Sequence, residues 1–224
     1  MAPQVTLYSH PGSPNPLKVA ILLEALNVSY EVINREFAND GPNGMKSAEF
    51  LKINPTGRIP ALVDNENGHV VWESTAILTY IADRWDTAGE FRGKTPQERS
   101  LVIQYVSYQI STFGPALGES LHYLFNHPVK DLDRSVQERN HKELHTQFAF
   151  IDSQVKGRDW IALDRFSIAD LSIVPQLVYL TQYDGLSLEG YPNLQAWVAR
   201  TIAVESVKKG YKSFPGQADA ATAL

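Results

Sequence analysis

The chain has 224 residues, of which 43% are hydrophobic and 20% charged, and it carries a formal net charge of -5 at pH 7. This describes an ordinary globular protein with one or two cores, and its acidic balance gives no general attraction to nucleic acid or acidic membranes. Cysteine is absent, which excludes disulfides, thiolate metal sites and a cysteine nucleophile; no signal-peptide layout and no apolar run of membrane length appears, so a cytoplasmic location is expected.

Val5, Thr6, Leu7 and Tyr8 predict a first strand, ended by a loop in which Pro11, Gly12, Pro14 and Pro16 forbid a ladder. From Leu17 the apolar positions Leu17, Ala20, Ile21, Leu23 and Leu26 follow helical spacing, with Asn15 or Ser13 as the cap. Residues 28–34 alternate as a second strand, 37–44 read as a polar surface loop, and 47–51 as a short helix. Pro60 stands at the entrance to the apolar run 61–63, where a missing N–H suits an edge or a cis bond. That run and residues 70–72 predict a hairpin, followed by a helix over 74–85 with Ser74 as its N-cap. The order βαβ then ββα predicts a small thioredoxin-like α/β domain.

Residues 86–96 are polar, with two glycines and a proline, and read as a linker; the boundaries are 1–86, 87–96 and 97–224. Beyond it the periodicity is helical, over 98–113, 115–125, 133–155, 167–183 and 194–211, so the second domain is all-α. Gly114 and Pro115 are expected to kink or split one long helix. Ser167 and Asp170 form a capping box with Phe166 and Leu171 at the staple positions, a folding signal rather than a chemical one. The tail 213–224 is small and polar, and is expected to fray.

Two segments carry chemistry. A cis Ile59–Pro60 bond would turn the Ile59 backbone outward, ready to pair with another peptide backbone. A helix start at Ser74 would hold a carboxylate, and Glu73 an ammonium. Together they describe a site for a small peptide bearing both an amine and carboxylates. These segments, in this order and before an all-helical remainder, resemble the cytosolic glutathione S-transferase family over nearly the whole chain, from Val5 to about Lys212. Residues 108–115 with Gly118, Leu121 and His122, and Thr6 to His10 with Pro14, Asn15 and Lys18, resemble the fungal class that includes the yeast nitrogen-regulator prion protein's transferase-like domain.

The resemblance implies glutathione as co-substrate, no metal, and a donor at the first helix start that favours the thiolate. Asn15 is placed first on the class match, Ser13 second and Tyr8 third, Tyr8 being more simply read as core. Arg58 and Lys46 are candidates for the glycine-end carboxylate. Tyr105, Tyr108, Gln109, Thr112 and Phe113 are expected to line an apolar co-substrate pocket. With no protein thiol, the mixed-disulfide chemistry of cysteine-type relatives is excluded. Conjugation is the leading reaction; glutathione-dependent cis-trans isomerisation of a conjugated olefin, peroxide reduction and a non-catalytic regulatory role are the alternatives. The absence of an Asn/Gln-rich leader favours an enzyme over a prion-type regulator. A homodimer is expected by resemblance and because Trp72, Phe50 and residues beside Ala76 exceed what a small domain covers alone. His141 and His145 have a zinc-capable i, i+4 spacing, but without cysteine or an evident third ligand they read as a solvated helix face.

Overall fold

The computed structural model describes residues 2–37, 39–129 and 133–214; the end of the expected frayed tail, 215–224, and residue 38 of the expected surface loop lie outside them. Strand β1 (Val5–Ser9) is the centre of a four-stranded sheet with β2 (Tyr30–Asn34), β3 (Ala61–Asp64) and β4 (Val70–Trp72), in the order β2-β1-β3-β4. β1 pairs in parallel with β2 and antiparallel with β3, placing Leu7 opposite both Val32 and Leu62. Val5 and Leu7 are fully buried, as a central strand requires.

Helix α1 (Pro14–Ala25) crosses between β1 and β2 and is buried along most of its length, because α3 (Ser74–Trp85), α7 (Ile168–Leu180) and α9 (Glu205–Lys212) all pack against it. The short helix expected at 47–51 is one turn further on, as α2 (Phe50–Ile53). Its Phe50 is fully buried against Met45 and Ala61, so it leaves no apolar excess for a partner to cover. Val70 and Trp72 on β4 do remain exposed.

The helical half comprises α4 (Pro96–Tyr108), α5 (Gly114–Leu121), α6 (Arg134–Val155), α7, α8 (Pro192–Ile202) and α9. No break occurs at Gly114 and Pro115. The chain runs on through a π-helical turn, Gln109–Phe113, in which the Gly114 N–H reaches back to the Gln109 carbonyl. The wider turn precedes Pro115, which falls in the first turn of α5 where no N–H is needed. A second π turn, His122–Asn126, follows α5. The single helix expected over 194–211 is instead two, because Val204 is extended (φ -64, ψ 133) and the bend turns α9 onto α1. Contact there is close: a Cβ on Gly210 would lie 2.5 Å from Ile21 Cγ1.

Between α3 and α4 the chain is tied down. The Asp86 carboxylate accepts the N–H groups of Glu90, Phe91 and Arg92, and Arg165 donates to the carbonyls of Gly89 and Glu90. The capping box forms at α7, where Asp170 accepts from the Ser167 N–H at 2.9 Å. Asp170 also accepts from the Ile161 N–H and from Trp197 Nε1. Burial pushes its carboxyl up, against these donors, so one side chain joins three segments of the helical core.

Candidate active site

The first turn of α1 opens towards the groove between the two halves. Ser13 is its N-cap, but makes no side-chain capping bond, and Pro14 and Pro16 withhold two N–H groups from that end. Asn15, half-buried, accepts at Oδ1 from Gln176 Nε2 at 3.4 Å. Gln176 Oε1 in turn accepts from Gln109 Nε2 at 3.0 Å. Both glutamines are buried, at 8% and 6% exposure. Gly114 leaves the space for this: a Cβ there would come within 3.0 Å of Gln109 Nε2 and 2.8 Å of its carbonyl oxygen. With Oδ1 engaged, the Asn15 NH₂ remains as a donor.

Two clefts meet at Asn15. One, of about 540 Å³, is bordered by Glu73, Ser74, Thr75 and Ala76 from the start of α3 and by Gln109, Ile110, Gly114, Pro115 and Gln176 from the helical half. The other, of about 340 Å³, is bordered by Ser13, Phe37, Met45, Lys46, Gly57, Arg58 and Ile59. Asn15 borders both.

At α3 the N-cap is Glu73, not Ser74, and no side chain caps the helix. The first-turn N–H groups of Ser74, Thr75 and Ala76 therefore have no intrahelical acceptor and stand at the cleft. Glu73 sits at φ 71, a left-handed backbone that costs a non-glycine residue about 1–3 kcal/mol. The Ile59–Pro60 peptide is cis. Lys46 Nζ donates to the Thr56 carbonyl at 3.0 Å, and Asn54 Nδ2 holds the Arg58 carbonyl at 2.7 Å, leaving both cations at the mouth of the smaller cleft. His10 lies beside this cleft, its ring 4.2 Å from that of Phe37, and burial lowers its pKa.

Of the residues expected to line a co-substrate pocket, Gln109 borders the larger cleft. Tyr105, Tyr108, Thr112 and Phe113 border neither cleft. Tyr105 donates to Gln154 Oε1 at 3.0 Å and Tyr108 to Gln147 Oε1 at 2.8 Å, both on α6, while Phe113 is in the core. Thr112 turns to Ser111. Ile110 and Pro115 supply the apolar wall instead. Tyr8, half-buried, packs on Phe50 and under the Arg35 guanidinium. Gln176 escaped the sequence reading. Its signal was there: one amide side chain in the apolar run that becomes α7.

The family model described as glutathione S-transferase, N-terminal domain, matches residues 3–83, and the one described as glutathione S-transferase, C-terminal domain, matches residues 110–205. Glutathione S-transferase 2 of Schizosaccharomyces pombe is 33% identical over 222 residues, covering 92% of this chain and 94% of its own. The glutathione transferase URE2P5 of Phanerochaete chrysosporium superposes with a TM-score of 0.83 at 32% identity, covering 99% of this chain and 98% of its own. URE2P8 of the same organism, solved with oxidized glutathione, gives 0.85 at 28% identity and covers 96% of each chain. The chain belongs to the glutathione S-transferase family.

Proposed function

We propose that this protein binds glutathione across the two clefts and activates its thiol for attack on an apolar electrophile. The observation that carries this is the position of Asn15, the residue common to both clefts. The γ-glutamyl carboxylate sits on the N–H groups at the start of α3 and the Ser74 hydroxyl, where the helix dipole favours an anion. Its ammonium pairs with Glu73. The cysteinyl backbone pairs with Ile59 beside Pro60, and the glycine carboxylate meets Arg58 and Lys46. The sulfur then lies at Asn15, with Ser13 behind it and the apolar wall of Ile110 and Pro115 ahead.

A free thiol near pKa ~8.5 is mostly protonated at neutral pH, and lowering it by about two units takes ~2.7 kcal/mol. One charge-assisted hydrogen bond supplies ~1.5–3 kcal/mol and a helix N-terminus ~0.3–1. A single amide donor is therefore enough. Gln176, itself held by Gln109, donates to the Asn15 carbonyl and so presents the Asn15 NH₂ to the sulfur; neither glutamine touches the reacting atoms. Ultraviolet titration of enzyme-bound glutathione tests the assignment: Asn15→Ala raises the bound thiol's pKa by one to two units (order of magnitude) while Ser13→Ala changes it little. A shift in Ser13→Ala alone would transfer the role to Ser13. Conjugation consumes glutathione one-for-one with product, whereas recycled glutathione would make the reaction an isomerisation.

The same reading includes a cytoplasmic homodimer, with units 1–86 and 97–224 joined by 87–96. Val70 and Trp72 on β4 and Leu101 and Ile103 on α4 are exposed apolar side chains, one pair on each half. A twofold axis would let the sheet domain of one subunit cover the helical domain of the other. Light scattering that gives a monomer at micromolar concentration would remove the dimer.

A further inference from the structure

On the outer part of α6, away from both clefts, His141 and His145 stand one turn apart with their Nε2 atoms 3.1 Å from each other. Two metal–nitrogen bonds of about 2.0–2.1 Å, meeting at the ion at about 90–110°, place their nitrogens about 2.8–3.4 Å apart. The observed separation falls in that range. On sequence alone this pair read as a solvated helix face; the geometry adds what spacing could not show.

The tautomer also suits a ligand. Tyr191, just before α8, donates its hydroxyl hydrogen to the His145 carbonyl at 3.3 Å. Its oxygen then accepts from His145 Nδ1–H at 2.8 Å. A proton on Nδ1 leaves His145 Nε2 with a lone pair that accepts from His141 Nε2–H, a proton that a cation would displace on binding. This is the arrangement of metal-binding histidines, whose second nitrogen is held by an outer hydrogen bond that fixes the ring. The Phe148 edge, 5.5 Å from the His145 ring, holds the imidazole from another side.

From this geometry we propose that His141 and His145 form a two-histidine clip for a first-row divalent cation of the Ni²⁺, Cu²⁺ or Zn²⁺ type, oriented by Tyr191. Imidazole nitrogen selects these ions over Mg²⁺ and Ca²⁺, which prefer oxygen ligands. Among the described residues no group of three or more His, Cys, Asp or Glu could hold a metal ion, so water completes the coordination shell. The ion exchanges readily and clamps one turn of α6. Because it binds the folded chain, it raises thermal stability with its concentration.

Copper titration of the full, untagged chain, followed by electron paramagnetic resonance and calorimetry, tests the clip. The wild type is expected to take up one Cu²⁺ with hyperfine coupling to two imidazole nitrogens, undisplaced by excess Mg²⁺. His141→Ala, at an exposed position, reduces this to one nitrogen and weakens binding by tenfold or more. Tyr191→Phe keeps both nitrogens and weakens binding by about tenfold, as loss of an outer-shell bond does. His122→Ala is the control, because His122 and His127 form another close histidine pair among the described residues, with ring centroids 5.1 Å apart. An unchanged spectrum and affinity in His141→Ala, or loss of the two-nitrogen signal in His122→Ala, would overturn the proposal. So would a wild-type protein that binds no copper at this pair.

Discussion

Replacing Gln176 by leucine separates a positioning role from simple packing. The substitution roughly conserves volume, but strands Gln109 Nε2 at a site only 6% exposed, where its acceptor now lies at 3.0 Å. An unsatisfied buried donor costs ~1–3 kcal/mol, so the urea midpoint should fall accordingly. It also releases the Asn15 amide, whose Oδ1 is held only by Gln176 among the bonds described. If the Asn15–thiolate contact contributes ~1.5–3 kcal/mol, its full loss moves the bound thiol's pKa by roughly one to two units, and Gln176→Leu should produce part of that shift. The assay is thiolate absorbance of bound glutathione against pH, read in a double-mutant cycle with Asn15→Ala. Once Asn15 is gone, Gln176→Leu should change the thiol pKa no further. A variant that loses stability but keeps the wild-type thiol pKa would refute the positioning argument.

Lys18 on α1 is wholly buried, its Nζ has no hydrogen-bond partner, and burial lowers its pKa to about 7. Between that value and its ordinary 10.5 the unfolded chain binds more protons than the folded one. Stability therefore rises with pH across this window, by about 2 kcal/mol from pH 7 to 9, and the penalty is fully present below it. Urea unfolding of Lys18→Met should lose that slope and show greater stability at pH 7; an unchanged slope would mean another group carries it. Glu73→Gly should relieve the left-handed strain at φ 71 and stabilise the fold by ~1 kcal/mol, while glutathione affinity falls. A glycine variant with full affinity would show that Glu73 holds no ammonium.

Local signals made much of this legible. Helix 74–85 and the hairpin before it follow from periodicity and turn residues, and the Ser167–Asp170 box from its spacing. What failed depended on tertiary context. Serine is the better N-cap by propensity, yet the cap falls on Glu73 because the chain leaves β4 in a left-handed turn. Gly114 and Pro115 look like a break, since a sequence does not display the one-residue change of register that a π turn supplies. No glycine or proline marks the bend at Ala203 and Val204; the packing of α9 on α1 does. Tyr105 and Tyr108 were a fair apolar stripe, but periodicity cannot say whether a stripe faces a cleft or a neighbouring helix, and here α6 takes it. Gln109 and Asn15 were each singled out from the sequence, whereas the bond chain that joins them runs through Gln176, 161 residues from Asn15.

Calorimetric titration of glutathione into the wild type and the Glu73→Gln, Ser74→Ala double variant tests the binding site independently of which donor meets the sulfur. Each lost charge-assisted contact is worth ~1.5–3 kcal/mol, so the double variant should bind glutathione on the order of a hundredfold or more weaker with its fold intact. Wild-type affinity in a folded double variant would contradict the placement of glutathione at the start of α3, and with it the activation of its thiol at Asn15.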